Sequence, residues 1–353
     1  MKICIVTGSN GLVGSESIRF FSSKKFKVIG IDNNFRKLFF GKNGDTSWVK
    51  KKLYKELQNY IHYDYDIRDK VKVSRIFKKY SRDIKLIIHC AAQPSHDWAY
   101  QNPYLDFETN ANGTLNLLQN FHKYCPKGVF INLSTNKVYG DNPNRLNLIE
   151  KKNRYELPND HKYFKGIDEK MSIQNCVHSL FGISKLSADL MVQEYGKNFN
   201  LKTVSFRAGC LTGPMHSGAE LHGFLSFLVK QIINKKNYNI YGYKGKQVRD
   251  NLHSFDLVNA FWNFYKSPRY GEIYNIGGSR KSNCSILEAI QIIENLTDIK
   301  ANFKILKHNR VGDHKWWVSS IKKFKKHYPN WNIKHNVTKI IKDILEAENN
   351  GNK

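Results

Sequence analysis

Short apolar runs alternate with segments of helical periodicity along roughly the first 210 residues of the chain. The runs that have the length and β-branched content of buried strands are residues 2–7, 26–31, 86–90 and 129–133. One helical pattern follows the first run, and another lies between the last two, around Phe107 to Tyr124. This alternation predicts an α/β fold with a doubly wound parallel sheet.

The pattern changes further along the chain. Residues 150–176 are polar and irregular, which predicts a loop insertion near the carboxyl edge of the sheet. Beyond residue 210, glycine- and aromatic-rich segments alternate with short helices, as expected of a smaller lobe. We therefore predict a cofactor-binding domain over residues 1–205, with a return segment near 250–265, and a substrate-binding lobe over most of 206–350.

The first strand leads into a glycine-rich turn that predicts a phosphate-binding site. Gly8, Gly11 and Gly14 are spaced three apart, which permits positive φ in the turn and a close approach of the backbone to a pyrophosphate. The helix that follows presents free N–H groups to the anion. Because glycine-rich turns also occur in loops that bind nothing, the surrounding sequence decides what this one means.

An acidic residue at the end of the second strand supplies that context. Asp32 lies 18 residues after Gly14, close to the spacing at which a carboxylate accepts hydroxyl groups of a dinucleotide's ribose. A carboxylate there repels a 2′-phosphate, so the sequence favours NAD over NADP. Asp66, where a third strand would end, has two interpretations: it borders the adenine, or it is a simple loop carboxylate.

The chain is strongly basic, with 57 Lys and Arg against 30 Asp and Glu and a formal net charge of +27. Its lysines are spread along helix faces and loops, as at 50–52 and 322–326, with no nucleic-acid module beside them. We therefore expect a solvated surface that draws anionic ligands, and no nucleic-acid partner.

The cysteines and the hydropathy pattern indicate the cellular compartment to expect. The six cysteines are scattered without metal-like spacing, which predicts reduced thiols and no metal site. No run of 18 apolar residues and no charged-then-apolar leader occurs, so we expect a cytoplasmic protein with no membrane partner.

Several motifs together resemble a known family. They are Ser134–Asp141 after a strand, Ser184-Lys185 in a helix that begins near Ser179, Gly245–Asp250 with His253 and Asp256, Tyr274–Gly278, and Arg310–Asp313. With the opening glycines, they resemble the nucleotide-sugar epimerase and dehydratase branch of the extended short-chain dehydrogenase/reductases. The resemblance spans nearly the whole chain.

This resemblance implies a reaction, a cofactor and an assembly. The expected enzyme uses NAD to epimerise a nucleotide sugar, with C2 of a CDP-linked (deoxy)hexose favoured, through a transient ketone. The sequence leaves CDP, UDP and GDP open. The resemblance also implies a homodimer that pairs through two helices, here about Tyr104 to Tyr124 and Ser179 to Lys197.

The resemblance also implies roles for particular residues. Thr135 would hydrogen-bond the reacting oxygen and, with Arg249, Arg310 and Asp313, bind the substrate, while Lys185 would hold the nicotinamide ribose. The cofactor residues that it implies are Gly8, Asn10, Gly11, Leu12, Val13, Gly14, Asp32, Asn33, Asp66, Ile67, Ala91, Ala92, Gln93, Asn110 and Lys185.

Two positions after Thr135 discriminate between reactions. The 4,6-dehydratases of the branch carry Asp-Glu there, because elimination of water needs an added acid and base. This chain has Asn136 and Lys137 instead. Neither is a carboxyl group, so epimerisation or simple redox chemistry is favoured over dehydration.

One residue departs from the family pattern. The family pairs Tyr and Lys as Tyr-x-x-x-Lys, whereas this chain has Phe181 four residues before Lys185. Phenylalanine exchanges no proton, so three interpretations stay open. Another base replaces the phenol, with His96 beside Asp97, in the loop expected after the fourth strand, as the first candidate; the chain catalyses a different nucleotide-sugar oxidoreduction; or it binds NAD or a nucleotide sugar without turnover. Two further candidate bases are His178 and Tyr163.

Overall fold

The structure is a computed structural model that describes residues 2–220, 223–310 and 312–350. The chain forms two compact units, each built from three segments. Unit 1 contains Met1–Thr135, Leu180–Arg207 and Leu257–Tyr274, and unit 2 contains Asn136–Ser179, Ala208–Asp256 and Asn275–Lys353.

The strands are named in chain order. They are β1 (Ile3–Thr7), β2 (Lys27–Ile31), β3 (Ile61–Tyr63), β4 (Ile84–His89), β5 (Val129–Thr135), β6 (Ile149–Glu150), β7 (Tyr155–Glu156), β8 (Lys202–Ala208), β9 (Cys210–Thr212), β10 (Tyr238–Tyr241), β11 (Val248–His253), β12 (Glu272–Ile276), β13 (Asn283–Ser285), β14 (Phe303–Leu306) and β15 (Trp316–Trp317).

The α-helices are named in the same way. They are α1 (Leu12–Ser23), α2 (Arg36–Phe40), α3 (Ser47–Glu56), α4 (Lys70–Tyr80), α5 (His96–Gln101), α6 (Pro103–Phe107), α7 (Gly113–Tyr124), α8 (Leu180–Asn198), α9 (Phe224–Ile233), α10 (Ser254–Lys266), α11 (Ile286–Thr297), α12 (Lys322–His327) and α13 (Val337–Asn349).

The main sheet confirms the predicted α/β fold. In the described part of the chain it has seven strands in the order β12-β8-β5-β4-β1-β2-β3. The pairs β1-β2, β2-β3, β1-β4 and β4-β5 are all parallel. The strand order reverses beside β1, which is the topological switch point where doubly wound folds bind dinucleotides.

Each unit has its own apolar core. In unit 1, β-branched residues of β1, β2 and β4 pack against apolar residues of α4, α7 and α8, with Ile5, Phe77 and Leu117 fully buried. In unit 2, α9, α11 and α13 pack their apolar faces together, with Leu228 and Ile340 fully buried. The parallel strands read as nearly continuous apolar runs because they are covered on both faces.

Three details differ from the pattern read along the sequence. The helix expected around Phe107 to Tyr124 is interrupted by a π-helical turn at Glu108–Asn112, between α6 and α7. The strand β5 continues through Thr135. The segment 136–179 clusters with unit 2, not with the residues before it. The division of cofactor and substrate binding at residue 205 stays a prediction.

Two further observations concern the helices and the cysteines. None of the helices in the described ranges is long and apolar enough to cross a membrane. All six cysteines are free thiols.

A buried ion pair ties α8 to the neighbouring strand in unit 1. The Arg207 guanidinium in β8 donates to Asp189 in α8 at 2.9 Å, and both side chains are almost inaccessible to solvent. Ser134 donates a further hydrogen bond of 2.6 Å to the same carboxylate. A buried carboxylate that loses its cation keeps its full desolvation cost.

We predict that Arg207→Met lowers the free energy of unfolding by about 3–5 kcal/mol, because Asp189 is left buried without its cation. The matched control is Lys50→Met, which breaks an ion pair with Asp64, a carboxylate whose side chain is 66% exposed. We expect that loss to stay below about 1 kcal/mol. Urea titration of both variants measures the difference, and equal small losses would contradict the prediction.

Candidate functional site

The glycine-rich turn between β1 and α1 closes as the sequence predicts. Gly8 has φ of +67°, and a Cβ on it would lie 2.7 Å from the amide nitrogen of Ala91. A Cβ on Gly14 would lie 2.0 Å from the carbonyl oxygen of Gly8. Both positions therefore require glycine, and α1 begins directly after the turn at Leu12.

Asp32 lies next to this turn at the end of β2. Its carboxylate accepts backbone N–H groups from Asn10 at 2.9 Å and from Asn34 at 2.7 Å. Burial raises the pKa of Asp32, and these two hydrogen bonds oppose that rise. The Asn10 Oδ1 atom is buried with no hydrogen-bond partner in the described structure. A polar ligand at the turn would satisfy it, so these residues fit a dinucleotide.

Asp66 is engaged in an ion pair after β3. The Arg68 guanidinium donates to both of its carboxylate oxygens, at 3.1 and 2.8 Å, and Asn33 donates at 3.2 Å. Burial alone would raise the pKa of Asp66, but Arg68 lowers it below its ordinary value. The neighbouring carbonyl of Ile67 accepts from Asn116 at 2.7 Å. These contacts are enough to explain why a carboxylate occupies position 66 of the loop. The contact of Asp66 with the adenine stays a prediction.

A buried polar network connects the loop after β4 to α8. Gln93 Nε2 donates to Asp106 at 2.7 Å and to the Ser95 carbonyl at 2.8 Å. Asn110 Oδ1 accepts the Gln93 backbone N–H at 2.9 Å, and Asn110 Nδ2 donates to Asp106 at 3.1 Å and to Ser184 Oγ at 3.0 Å. All five residues are at most 3% exposed. The network fixes the loop relative to the first turns of α8.

Three members of this network, Ser95, Asp106 and Ser184, are not among the predicted site residues, and the sequence holds a signal for the last two. Burial raises the pKa of Asp106, while its hydrogen bonds with Ser184 and Gln93 lower it. The signal that could have found them is positional. A carboxylate precedes Asn110 by four residues, so both lie on one helix face, and Ser184 directly precedes the family lysine.

The predicted catalytic residues of unit 1 lie at the end of β5 and the start of α8. Thr135 is the last residue of β5 and is half-buried. Lys185 Nζ donates to the Leu133 carbonyl at 2.9 Å, and burial lowers the pKa of Lys185 to about 8. The Phe181 ring, 7% exposed, meets the His96 ring edge-on, with centroids 4.8 Å apart and planes at 69°.

His96 begins a helix, whereas the sequence placed it in a loop. It is the first residue of α5, and Ser95 caps that helix by accepting the Trp98 N–H at 3.2 Å. The other two candidate bases belong to unit 2. His178 Nε2 is 2.8 Å from the Val138 carbonyl, and burial raises the pKa of Tyr163.

Unit 2 contains a cluster of charged residues that includes the predicted substrate residues. Arg249 donates to the Asp313 carboxylate, and Lys137 Nζ lies 3.8 Å from that carboxylate and donates to the Gly312 carbonyl at 2.9 Å. Burial lowers the pKa of Lys137 to about 8. Burial would raise the pKa of Asp313, but Arg249, Lys137 and Arg310 hold it well below its usual range.

With Lys137 protonated, these three cations exceed the one carboxylate by two charges. Such a cluster suits an anion with two negative charges. From the sequence, Lys137 was predicted only to disfavour dehydration. Its membership of this cluster depends on a contact with residues some 175 positions away along the chain.

A second group in unit 2 has the composition of a metal site. His253, His335 and Asp343 place possible ligand atoms within 4.8 Å of one another. However, His253 Nδ1 accepts the Phe255 N–H at 3.0 Å, so the proton of the neutral ring is on Nε2, 3.7 Å from Asp343. His335 Nδ1 is 3.0 Å from Asp256. A metal on His253 would have to displace either the Nε2 proton or the hydrogen bond at Nδ1. Hydrogen bonding therefore explains the arrangement of these three side chains better than metal binding does.

The chain is similar in sequence to known enzymes and to one protein family. Residues 4–277 match the family described as NAD dependent epimerase/dehydratase family. CDP-paratose 2-epimerase of Salmonella typhi is 33% identical over 333 residues, covering 92% of this chain and 92% of that protein. A dTDP-glucose 4,6-dehydratase of Escherichia coli K12 is 28% identical over 305 residues, covering 82% of this chain and 76% of that protein.

Solved structures share the fold. Pal from Bacillus thuringiensis has a TM-score of 0.80 at 22% identity, and the alignment covers 99% of each chain. UDP-glucuronic acid 4-epimerase from Bacillus cereus, solved with UDP-glucuronic acid and NAD, has a TM-score of 0.77 at 21% identity, again over 99% of each chain. At these identities the likeness establishes the α/β fold.

We predict that the protein binds NAD at least about tenfold more tightly than NADP, a difference of about 1.4 kcal/mol. The reason is that the Asp32 carboxylate repels a 2′-phosphate. Calorimetric titration with both cofactors measures the ratio, which Asp32→Ala should lower. The matched control is Asp66→Asn, which should leave the ratio unchanged even if Asp66 borders the adenine. Equal affinities for NAD and NADP in the unaltered protein would contradict the prediction.

Proposed function

The chain belongs to the NAD dependent epimerase/dehydratase family, and from this premise we propose that it inverts C2 of a CDP-linked (deoxy)hexose through a transient ketone. The observation that carries the proposal is the 33% identity to CDP-paratose 2-epimerase over nearly the full length of both chains. The 4,6-dehydratases match at lower identity and over less of their own length.

The residues of unit 1 account for the cofactor half of this activity. The turn from Gly8 to Gly14 would hold the pyrophosphate, Asp32 the adenosine ribose, and Lys185 the nicotinamide ribose. When bound, NAD supplies a reversible acceptor for the hydride of the sugar carbon. Thr135, half-buried at the end of β5, would donate a hydrogen bond to the reacting oxygen.

The charged cluster of unit 2 accounts for substrate binding. Arg249, Arg310 and Lys137 would bind the two phosphates of the nucleotide sugar, with Asp313 holding the cations in place. Because Lys137 takes the position of the dehydratase glutamate, the chain lacks a carboxyl group for elimination there and has an amine that binds anions. This substitution favours epimerisation over dehydration.

A binding protein without turnover is the second candidate, and Phe181 is the observation that favours it. We propose that Phe181 takes the place of the family tyrosine, so the usual proton acceptor is missing. Thr135 argues for catalysis, because a protein that only binds needs no donor at the reacting oxygen.

The test is a panel of nucleotide sugars incubated with the protein and NAD and analysed by proton NMR. We expect CDP-paratose to be converted to its C2 epimer, and UDP-glucose and dTDP-glucose to be unchanged. Loss of water from dTDP-glucose would contradict the proposed reaction. Binding of CDP-paratose without conversion would identify the second candidate.

We also propose that the protein is a homodimer. Apolar side chains on α6 and the first turns of α8 are exposed, with Tyr104 at 85%, Leu180 at 45% and Ile183 at 41%. Leu190, further along α8, is 44% exposed, whereas Met191 packs against the core of unit 1. An exposed apolar face of this kind is typical of a subunit interface.

We predict a mass near twice the chain's 41.1 kDa in light scattering. Ile183→Glu should shift the protein toward monomer, because the interface would bury an unpaired charge. The control is Val71→Glu, which changes an equally apolar, 61% exposed residue on α4. A monomer mass for the unaltered protein across a wide concentration range would overturn the dimer.

A further inference from the structure

We propose that His96 accepts the proton of the reacting sugar hydroxyl and later returns it, in place of the phenol that position 181 lacks. This inference rests on the proposed epimerase function. It names the residue that makes an epimerase possible without the family tyrosine.

The geometry places the imidazole directly beside the substituted ring. The His96 and Phe181 rings meet edge-on with centroids 4.8 Å apart. Phe181 has the ring of a tyrosine without its oxygen. A side chain that replaces the missing phenol as the acid-base group is therefore expected to contact that ring. His96 as a residue is half-buried.

The buried network described above holds the two rings in this arrangement. Gln93 fixes both the N–H and the carbonyl group of Ser95, the residue before His96. On the other side, Ser184 Oγ accepts from Asn110 and donates to the Phe181 carbonyl at 3.1 Å. The loop that positions the imidazole and the turn that positions the phenyl ring are thus joined by buried hydrogen bonds. Such preorganisation is what an acid-base group requires.

The proton transfer balances without a further reactant. The hydroxyl O–H bond breaks, its electron pair forms the carbonyl π bond, and the proton passes to an imidazole nitrogen, while the C–H bond of the same carbon breaks and its hydride would pass to bound NAD. In the return half of the reaction the hydride would come back to the opposite face of the carbon, and the carbonyl oxygen takes the proton back. The imidazole ends neutral, as it began, and is ready for the next cycle.

The other candidate groups have different contacts. Lys185 donates to the Leu133 carbonyl, and its family role is with the ribose. His178 is hydrogen-bonded to the Val138 carbonyl, and the Tyr163 ring lies against the His161 ring. The ring contact with Phe181 distinguishes His96 from these three.

The experiment compares His96→Ala and Phe181→Tyr with the unaltered protein on CDP-paratose. We expect His96→Ala to lower kcat by about 10²–10⁴-fold, the usual loss of a general base, and Phe181→Tyr to change it by less than about threefold. The matched control is His122→Ala, because the exposed His122 ring also packs on a phenylalanine, Phe199, with centroids 4.7 Å apart. That control should retain full activity.

Three further measurements separate a base from a structural residue. Calorimetry should show that His96→Ala binds NAD and CDP-paratose as the unaltered protein does, and added imidazole should restore its turnover. In the unaltered protein, the histidine ring NMR signal that His96→Ala removes should shift on binding CDP-paratose. If the alanine variant does not fold, His96→Gln, which keeps a polar side chain but accepts no proton, replaces it.

The contrary outcomes are distinct. Near-normal turnover of His96→Ala, or a sharp gain in Phe181→Tyr, would overturn the role of His96 and leave the epimerase standing. Loss of binding in His96→Ala together with loss of turnover, without rescue by imidazole, would make His96 structural. An unaltered protein that binds CDP-paratose and turns over no nucleotide sugar would overturn both proposals.

Discussion

The arrangement of unit 1 around its candidate site depends on one buried carboxylate, Asp106. Burial raises its pKa, so its ionised form costs free energy at neutral pH. Hydrogen bonds with Ser184 in α8 and Gln93 in the loop after β4 reduce this cost, and Asn110 in the π-helical turn donates to the same carboxylate. Because Asn110 also donates to Ser184, satisfying the carboxylate fixes α8 as well. A partly satisfied network would be worse than an apolar core, so the geometry is strongly determined.

The π-helical turn at Glu108–Asn112 is part of this solution. An extra residue in a helical turn changes which side chains face the sheet, and π-turns are common at functional sites. Here Asn110 lies within the turn, where its amide reaches both the loop after β4 and α8. The irregularity therefore has a physical reason in the hydrogen bonds that it allows.

Sequence patterns predicted those features that local chemistry determines. Gly8 needs a positive φ, and Asp32 must follow the second strand by chain order, so both could be placed from spacing alone. The role of Lys137 could not, because its partners lie far away along the chain and no periodicity links them. The loop position expected for His96 was wrong for a local reason. The helix α5 is short, and its serine cap was not recognised as a start signal.

The buried Lys185 and the half-buried Lys137 suggest how the proposed reaction uses the cost of desolvation. Burial lowers the pKa of both Lys185 and Lys137 to about 8, so each cation is held at an energetic cost, with a carbonyl oxygen as a hydrogen-bond partner. A ligand that brings negative charge offsets that cost. In unit 2 the diphosphate would do so on binding, which gives affinity. In unit 1 the cost would be offset only during the reaction, when negative charge develops on the sugar oxygen as its proton leaves. This would increase the reaction rate. The absence of a phenol at position 181 would not remove this second effect, because in the proposed reaction the positive charge of Lys185 would stabilise the oxygen whichever group takes its proton.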